Sequence, residues 1–162
     1  MRELNTIFIH CTATPAGREY TTQQIEGWFK ALGWDNPGYH YVIHLDGRVE
    51  QLLGVNYIAN GVKGMNAHSI HIAYLGGTVN GKPADTRTTA QKIALVRLVD
   101  KLRADYASGC WGNPPCSLKE ATERLRLRGH NEVSAKACPC FNVSEMANVS
   151  EGQVPDMICS AL

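Results

Sequence analysis

Apolar and polar positions change period several times along the chain, and each change marks an element. Residues 4–11 are apolar, rich in β-branched side chains and closed by a polar cluster, which predicts a buried strand. Ile25, Trp28, Phe29 and Leu32 recur at helical spacing behind Thr21 and Thr22. That predicts a helix capped by one of these threonines and stopped at Gly33. Residues 39–45 and 48–53 flank Asp46-Gly47, a hairpin signal that predicts a type I′ turn. Residues 54–68 are rich in glycine and alanine and read as a long loop forming one wall of a groove. Residues 69–75 give another strand, ended by Gly76-Gly77.

Thr88 or Thr89 opens the longest helix, to about residue 106, with Ile93, Val96, Leu98, Val99 and Leu102 as its core positions. A short helix is expected over 118–123. Residues 124–129 alternate arginine with leucine or glycine, which predicts a strand near a sheet edge. From Asn142 onward the signals are weak. Interleaved strands and helices predict an α/β fold, a single mixed central β-sheet flanked by helices. With no repeat, low-complexity tract or linker, residues 1–162 are expected to form one domain.

A length of 162 residues suffices for a core without disulfide staples. The six cysteines, at 11, 110, 116, 138, 140 and 159, show no framework spacing. A net charge of +1 argues against a dedicated nucleic-acid binder. Met1 to Asn5 does not read as a secretory signal, and no apolar run approaches the ~20 residues of a membrane span. Synthesis in a reducing cytosol is therefore expected, with free thiols or metal thiolates the default.

Two segments concentrate chemistry. Residues 8–14 hold His10 at a strand end, and residues 129–139 hold His130 at a second strand end, with Lys136 and Cys138 following. Two imidazoles and a thiolate are good zinc ligands, and three protein ligands leave one position for water. Spacing alone leaves alternatives open. A strand-end histidine more often makes a buried hydrogen bond, a cysteine among apolar residues more often packs, and Lys136 reads equally as a solvated charge.

The wider pattern decides. Residues 8–14, Gly33-Trp34, Gly38 to Ile43, residues 46–50, residues 64–70, residues 75–77, His130 to Val133 and Lys136 to Pro139 occur in one order. Over about residues 4–142 the chain resembles the zinc-dependent N-acetylmuramoyl-L-alanine amidase family, which includes small phage amidase-type lysozymes and the peptidoglycan recognition proteins. The resemblance implies Zn2+ held by His10, His130 and Cys138, with Tyr39 and Lys136 at the family's catalytic positions. It implies hydrolysis of the amide between N-acetylmuramic acid and L-alanine in peptidoglycan, as a phage or prophage endolysin released to the cell wall. The only partner it implies is bacterial peptidoglycan, met by a monomer with no separate wall-binding domain. A recycling or antibacterial effector amidase is the alternative within the enzyme class. Two rivals lie outside it: a non-catalytic peptidoglycan-binding module, which typically lacks the cysteine ligand, and a regulatory protein that binds another macromolecule.

Other residues carry weaker expectations. Cys11 follows a ligand on a strand, so it is expected to face the core. His40 follows Tyr39 and reads as structural. His44, His68 and His71 read as surface residues or as supports behind a ligand. Glu132 reads either as a support for a ligand histidine or as a surface charge. Arg124, Arg126 and Arg128 share a face with His130 and offer contacts to acidic stem-peptide groups, although for the first two a solvated strand face is the favoured reading. The chain departs from the family in three ways. Gly61 stands where some members carry a further histidine. An insertion over about 107–123 holds Cys110 and Cys116, which either pair or stay reduced. Cys140 lies close enough to Cys138 to compete for metal.

Overall fold

The computed structural model describes residues 2–148. The elements in chain order are β1 (Thr6–Cys11), β2 (Thr14–Pro15), α1 (Thr22–Ala31), β3 (Tyr41–Ile43), β4 (Val49–Gln51), β5 (Ser69–Tyr74), β6 (Gly77–Val79), β7 (Lys82–Pro83), α2 (Thr89–Ala107), α3 (Leu118–Arg124) and β8 (Arg126–Gly129). Five strands form a mixed sheet in the order β4-β3-β5-β1-β8. All neighbours are parallel except β3 and β4. β8 lies at the edge, as its alternating pattern predicts. The three short strands β2, β6 and β7 form a second sheet that the pattern did not reveal. Strands of two or three residues are too short to display a period.

Each helix starts where a polar side chain can satisfy free N–H groups. Thr21 with Gln24, Thr88 with Gln91 and Ser117 with Glu120 form reciprocal capping boxes. Gln91 does more, because its buried amide also donates to the carbonyls of Ile43 and Leu75, at 3.2 and 3.0 Å. It thereby ties the start of α2 to the ends of β3 and β5. Leu98, Val99 and Leu102 are buried as expected, together with Leu95; Ile93 and Val96 are only half-buried. Leu32 projects to solvent, because α1 ends one residue before it.

The hairpin forms, but not through a type I′ turn. Gly47 N–H donates to the His44 carbonyl at 2.9 Å, so Leu45 and Asp46 are the central residues. Only Gly47 has a positive φ, +86°. The result is a three-residue connection with a glycine bulge. A side chain at Gly47 would meet the Ala90 carbonyl oxygen at 2.9 Å, so the contact with α2 also demands glycine.

β1 and β5 are buried along their whole length. One sheet face sends Ile7, Ile9, Cys11, Ile70, Ile72 and Tyr74 into a cluster with Leu95, Leu98 and Leu102 of α2. On the other side of the sheet Val42 packs with Ile25 and Phe29 of α1 and with Leu75. The weakly patterned segment after Asn142 forms a 3-10 turn, Val143–Asn148, and buries Val143 and Met146 in the first cluster. No helix among the described residues is long and apolar enough to cross a membrane.

Candidate metal centre and active site

The site forms because parallel pairing brings two strand ends level. β1 and β8 pair from Thr6↔Arg126 to Ile9↔Gly129, so His130 leaves β8 beside His10 at the end of β1. The two imidazole centroids are 4.9 Å apart. The loop after His130 then returns Cys138 across the same strand end. Cys11 N–H donates to Cys138 Sγ at 3.2 Å, and Tyr74 Oη pins the loop through the Pro139 carbonyl at 2.7 Å. Cys138 Sγ stands 3.7 Å from His10 Nδ1. Ligand atoms of His10, His130 and Cys138 all lie within 4.8 Å of one another.

The electrostatics suit a cation. Burial holds His10 well below the usual histidine range, helped by the neighbouring His71, His130 and Lys136. Burial, then Lys136, also lowers His130. A hydrogen bond from the Cys11 thiol, outweighing burial, lowers Cys138, and the Cys11 N–H and Lys136 act in the same direction. These shifts favour neutral imidazoles and move Cys138 toward the thiolate, the directions that metal binding requires. The donor set therefore fits a metal ion that accepts nitrogen and sulfur.

Tyr39 and Lys136 flank this group from different sides. The Tyr39 ring lies 5.4 Å from His10 and 5.2 Å from Phe29, centroid to centroid. Its hydroxyl donates to the Cys11 carbonyl at 3.5 Å. Burial, then the nearby sulfurs of Cys138 and Cys11, push its pKa up, so the hydroxyl keeps its proton. Lys136 is exposed and lines a groove of about 590 Å³ with His130, Ser134 and Trp34. Asn60 to Gly64 form the opposite wall, as expected of the loop.

Several side expectations are corrected. Cys11 is buried in the core as expected, but its backbone N–H also supports Cys138 and its thiol lies 3.7 Å from Cys140 Sγ. His44 is not a surface residue; it is 1% exposed and paired with Glu19. Glu132 does not hold an imidazole. Its carboxylate accepts the Gly129 N–H at 2.6 Å and closes the turn that carries His130. The three arginines line a second cavity with Glu3, Glu123 and Tyr106, whereas Lys136 lines the groove beside His130. Cys110, Cys116 and Cys140 are free thiols, and Cys159 lies outside the described residues. Of the two readings left open for His71, the surface one fails: it is fully buried and its Nδ1 stands 3.0 Å from His10 Nε2. Its only sequence signal was a polar residue between Ile70 and Ile72 in an apolar strand.

Known proteins resemble this chain in sequence and fold. The endolysin of Klebsiella phage KP32 is 32% identical over 143 residues, 88% of this chain and 84% of that protein. Among solved structures, the Ph2119 endolysin from the Thermus scotoductus MAT2119 bacteriophage Ph2119 superposes with a TM-score of 0.67 at 26% identity, covering 91% of this chain and 84% of that one. Drosophila PGRP-LB, at 20% identity and a TM-score of 0.65 over 92% and 82% of the two chains, shares the fold. The sequence profile of the N-acetylmuramoyl-L-alanine amidase family matches residues 1–141. The chain therefore belongs to the N-acetylmuramoyl-L-alanine amidase family, enzymes that hydrolyse the amide between N-acetylmuramic acid and L-alanine in peptidoglycan.

Proposed function

We propose that this amidase is a zinc-dependent endolysin of a phage or prophage, with zinc held by His10, His130 and Cys138. The observation that carries the reading is the convergence of these three ligand atoms within 4.8 Å. Likeness to phage endolysins supports the biological role.

Zinc, when bound, supplies Lewis acidity and lowers the pKa of water toward neutrality. The chain's own residues do the rest. The groove between Trp34, the loop from Asn60 to Gly64 and Ser134 receives the stem peptide. Lys136, on the rim beside His130, brings an ammonium to the carbonyl under attack. Negative charge grows on that oxygen as the amide becomes tetrahedral, and a fixed positive charge stabilises it most in the transition state. Tyr39 keeps its proton and offers a hydrogen bond beside His10, which orients the reacting groups.

Digestion of purified peptidoglycan tests this directly. Mass spectrometry is expected to show stem peptides with a free L-alanine amino terminus and intact glycan strands. A strong chelator should stop their release and added zinc should restore it. Cleavage that ignores the chelator, or products cut within the glycan, would overturn the proposal.

A further inference from the structure

Behind the three ligands lies a buried layer of rings that the reaction does not touch. His71 is fully buried and stacks between Phe8 and His40, at centroid distances of 5.7 and 5.8 Å with both interplanar angles 8°. Its Nδ1 is 3.0 Å from His10 Nε2. The layer has its own anchor. His40 Nδ1 accepts the His71 backbone N–H at 3.0 Å, which leaves the His40 hydrogen on Nε2 to bond the Tyr57 carbonyl at 3.0 Å.

Gly61 makes room for this ring. A Cβ at residue 61 would lie 2.3 Å from His71 Nδ1 and 2.6 Å from its Cγ, distances no side chain tolerates. The space beside position 61 is therefore filled by an imidazole arriving from β5. This bears on the absent loop histidine at Gly61: its place in the packing is occupied by another ring of the same chemistry.

The two ring nitrogens of His10 have different neighbours. Nδ1 faces Cys138 and the metal position, so its lone pair must be free, and the ring hydrogen must sit on Nε2. There it meets His71 Nδ1, which can only accept. We propose that His71 is a positioning residue for the metal centre: it accepts the Nε2–H of His10, fixes that tautomer and ring angle, and depends on Gly61 for its place. The proposal rests on the reading of His10 as a ligand. An imidazole whose far nitrogen is hydrogen-bonded is both oriented and a better donor to metal.

The test uses the full chain and zinc alone, with affinity measured by competition against a chromophoric chelator. His71→Phe keeps a stacked ring and removes the acceptor. It is expected to weaken zinc binding by roughly ten- to hundredfold while the metal-free protein remains folded by circular dichroism. His71→Asn, whose side-chain oxygen can take the place of Nδ1, should recover most of that loss. Gly61→Ala, which removes no ligand atom and crowds His71, should fall in the same direction as His71→Phe. Zinc affinity of His71→Phe within about twofold of the native value, with His10→Ala unable to bind zinc, would overturn this proposal and leave the ligand reading standing. Stoichiometric zinc in His10→Ala would remove the ligand reading itself. Should His71→Phe not fold, nitrogen-15 spectra of the native zinc-loaded protein decide. A protonated His10 Nε2 supports the inference, and a protonated His10 Nδ1 refutes it.

Discussion

The two faces of β1 and β5 are equally dry and do opposite work. Ile7, Ile9, Ile70 and Ile72 are fully buried against α2 and its neighbours, and Phe8, His10 and His71 are just as buried on the reverse face. The first face is held by apolar burial, which is additive and indifferent to direction. On the second, His10 Nε2 meets His71 Nδ1, and His40 meets the His71 N–H and the Tyr57 carbonyl, so geometry depends on directed contacts, although His71 Nε2 has no partner. Burial alone therefore does not separate scaffold from site; the number of directed contacts does. The aliphatic face should tolerate changes that conserve volume, whereas the histidine face should fail on the loss of one nitrogen.

The largest effect should come from the ligands. Alanine at His10, His130 or Cys138 is expected to remove zinc and all amidase activity while leaving the protein folded, measured by metal analysis, product mass spectrometry and circular dichroism. Stoichiometric zinc and full activity in Cys138→Ala would break the distinction between the faces. Next, Ile72→Ala should cost about 2–5 kcal/mol of stability through lost burial and a cavity. Denaturant unfolding gives that loss, and zinc stoichiometry in the folded fraction should stay unchanged.

Lys136→Ala sharpens the contrast within the site. It should keep zinc and keep binding to intact peptidoglycan, yet lose on the order of a hundredfold in kcat, the range for one oxyanion stabiliser. Tyr39→Phe should lose less, since only a hydroxyl is removed. If Lys136 merely attracts the wall, the defect would lie in KM, fade at high salt and spare the maximal rate.

The last test concerns pH and stability rather than activity. Burial, together with Arg2, pushes His40 down to about 4 against a partial rise from its bond to the Tyr57 carbonyl, while the unfolded chain titrates near 6.5. As pH falls between those values the unfolded state takes up the proton first. The stability from neutral His40 is thus whole above pH 6.5 and is lost progressively until about pH 4, at about 1.4 kcal/mol per pH unit. Arg2 and His71 are the charged and titratable groups facing it; the Arg2 charge opposes its protonation, and the His71 backbone N–H occupies Nδ1. Unfolding of the metal-free protein followed against pH should show a shallower slope in His40→Gln over that window. An unchanged slope would mean that His40 titrates alike in both states.

The sequence by itself determined the longer elements and named the candidate ligands. Caps at Thr21, Thr88 and Ser117 and the periods of β1, α1 and α2 are local, because hydrogen bonds and side-chain periodicity act over a few residues. His10, His130 and Cys138 were legible because a motif fixes residue types in order. Tertiary structure alone decided what each of these residues touches. A side chain at Gly47 would meet Ala90 of α2, His44 pairs with Glu19 from the loop before α1, and Cys11 N–H supports Cys138 only because a loop crosses the strand end. The meeting of Gly61, His71 and His10 needs the pairing of β1 with β5 and the fold of a loop over both. No local period records such a contact, since it arises between residues far apart in the chain whose proximity is set by sheet register.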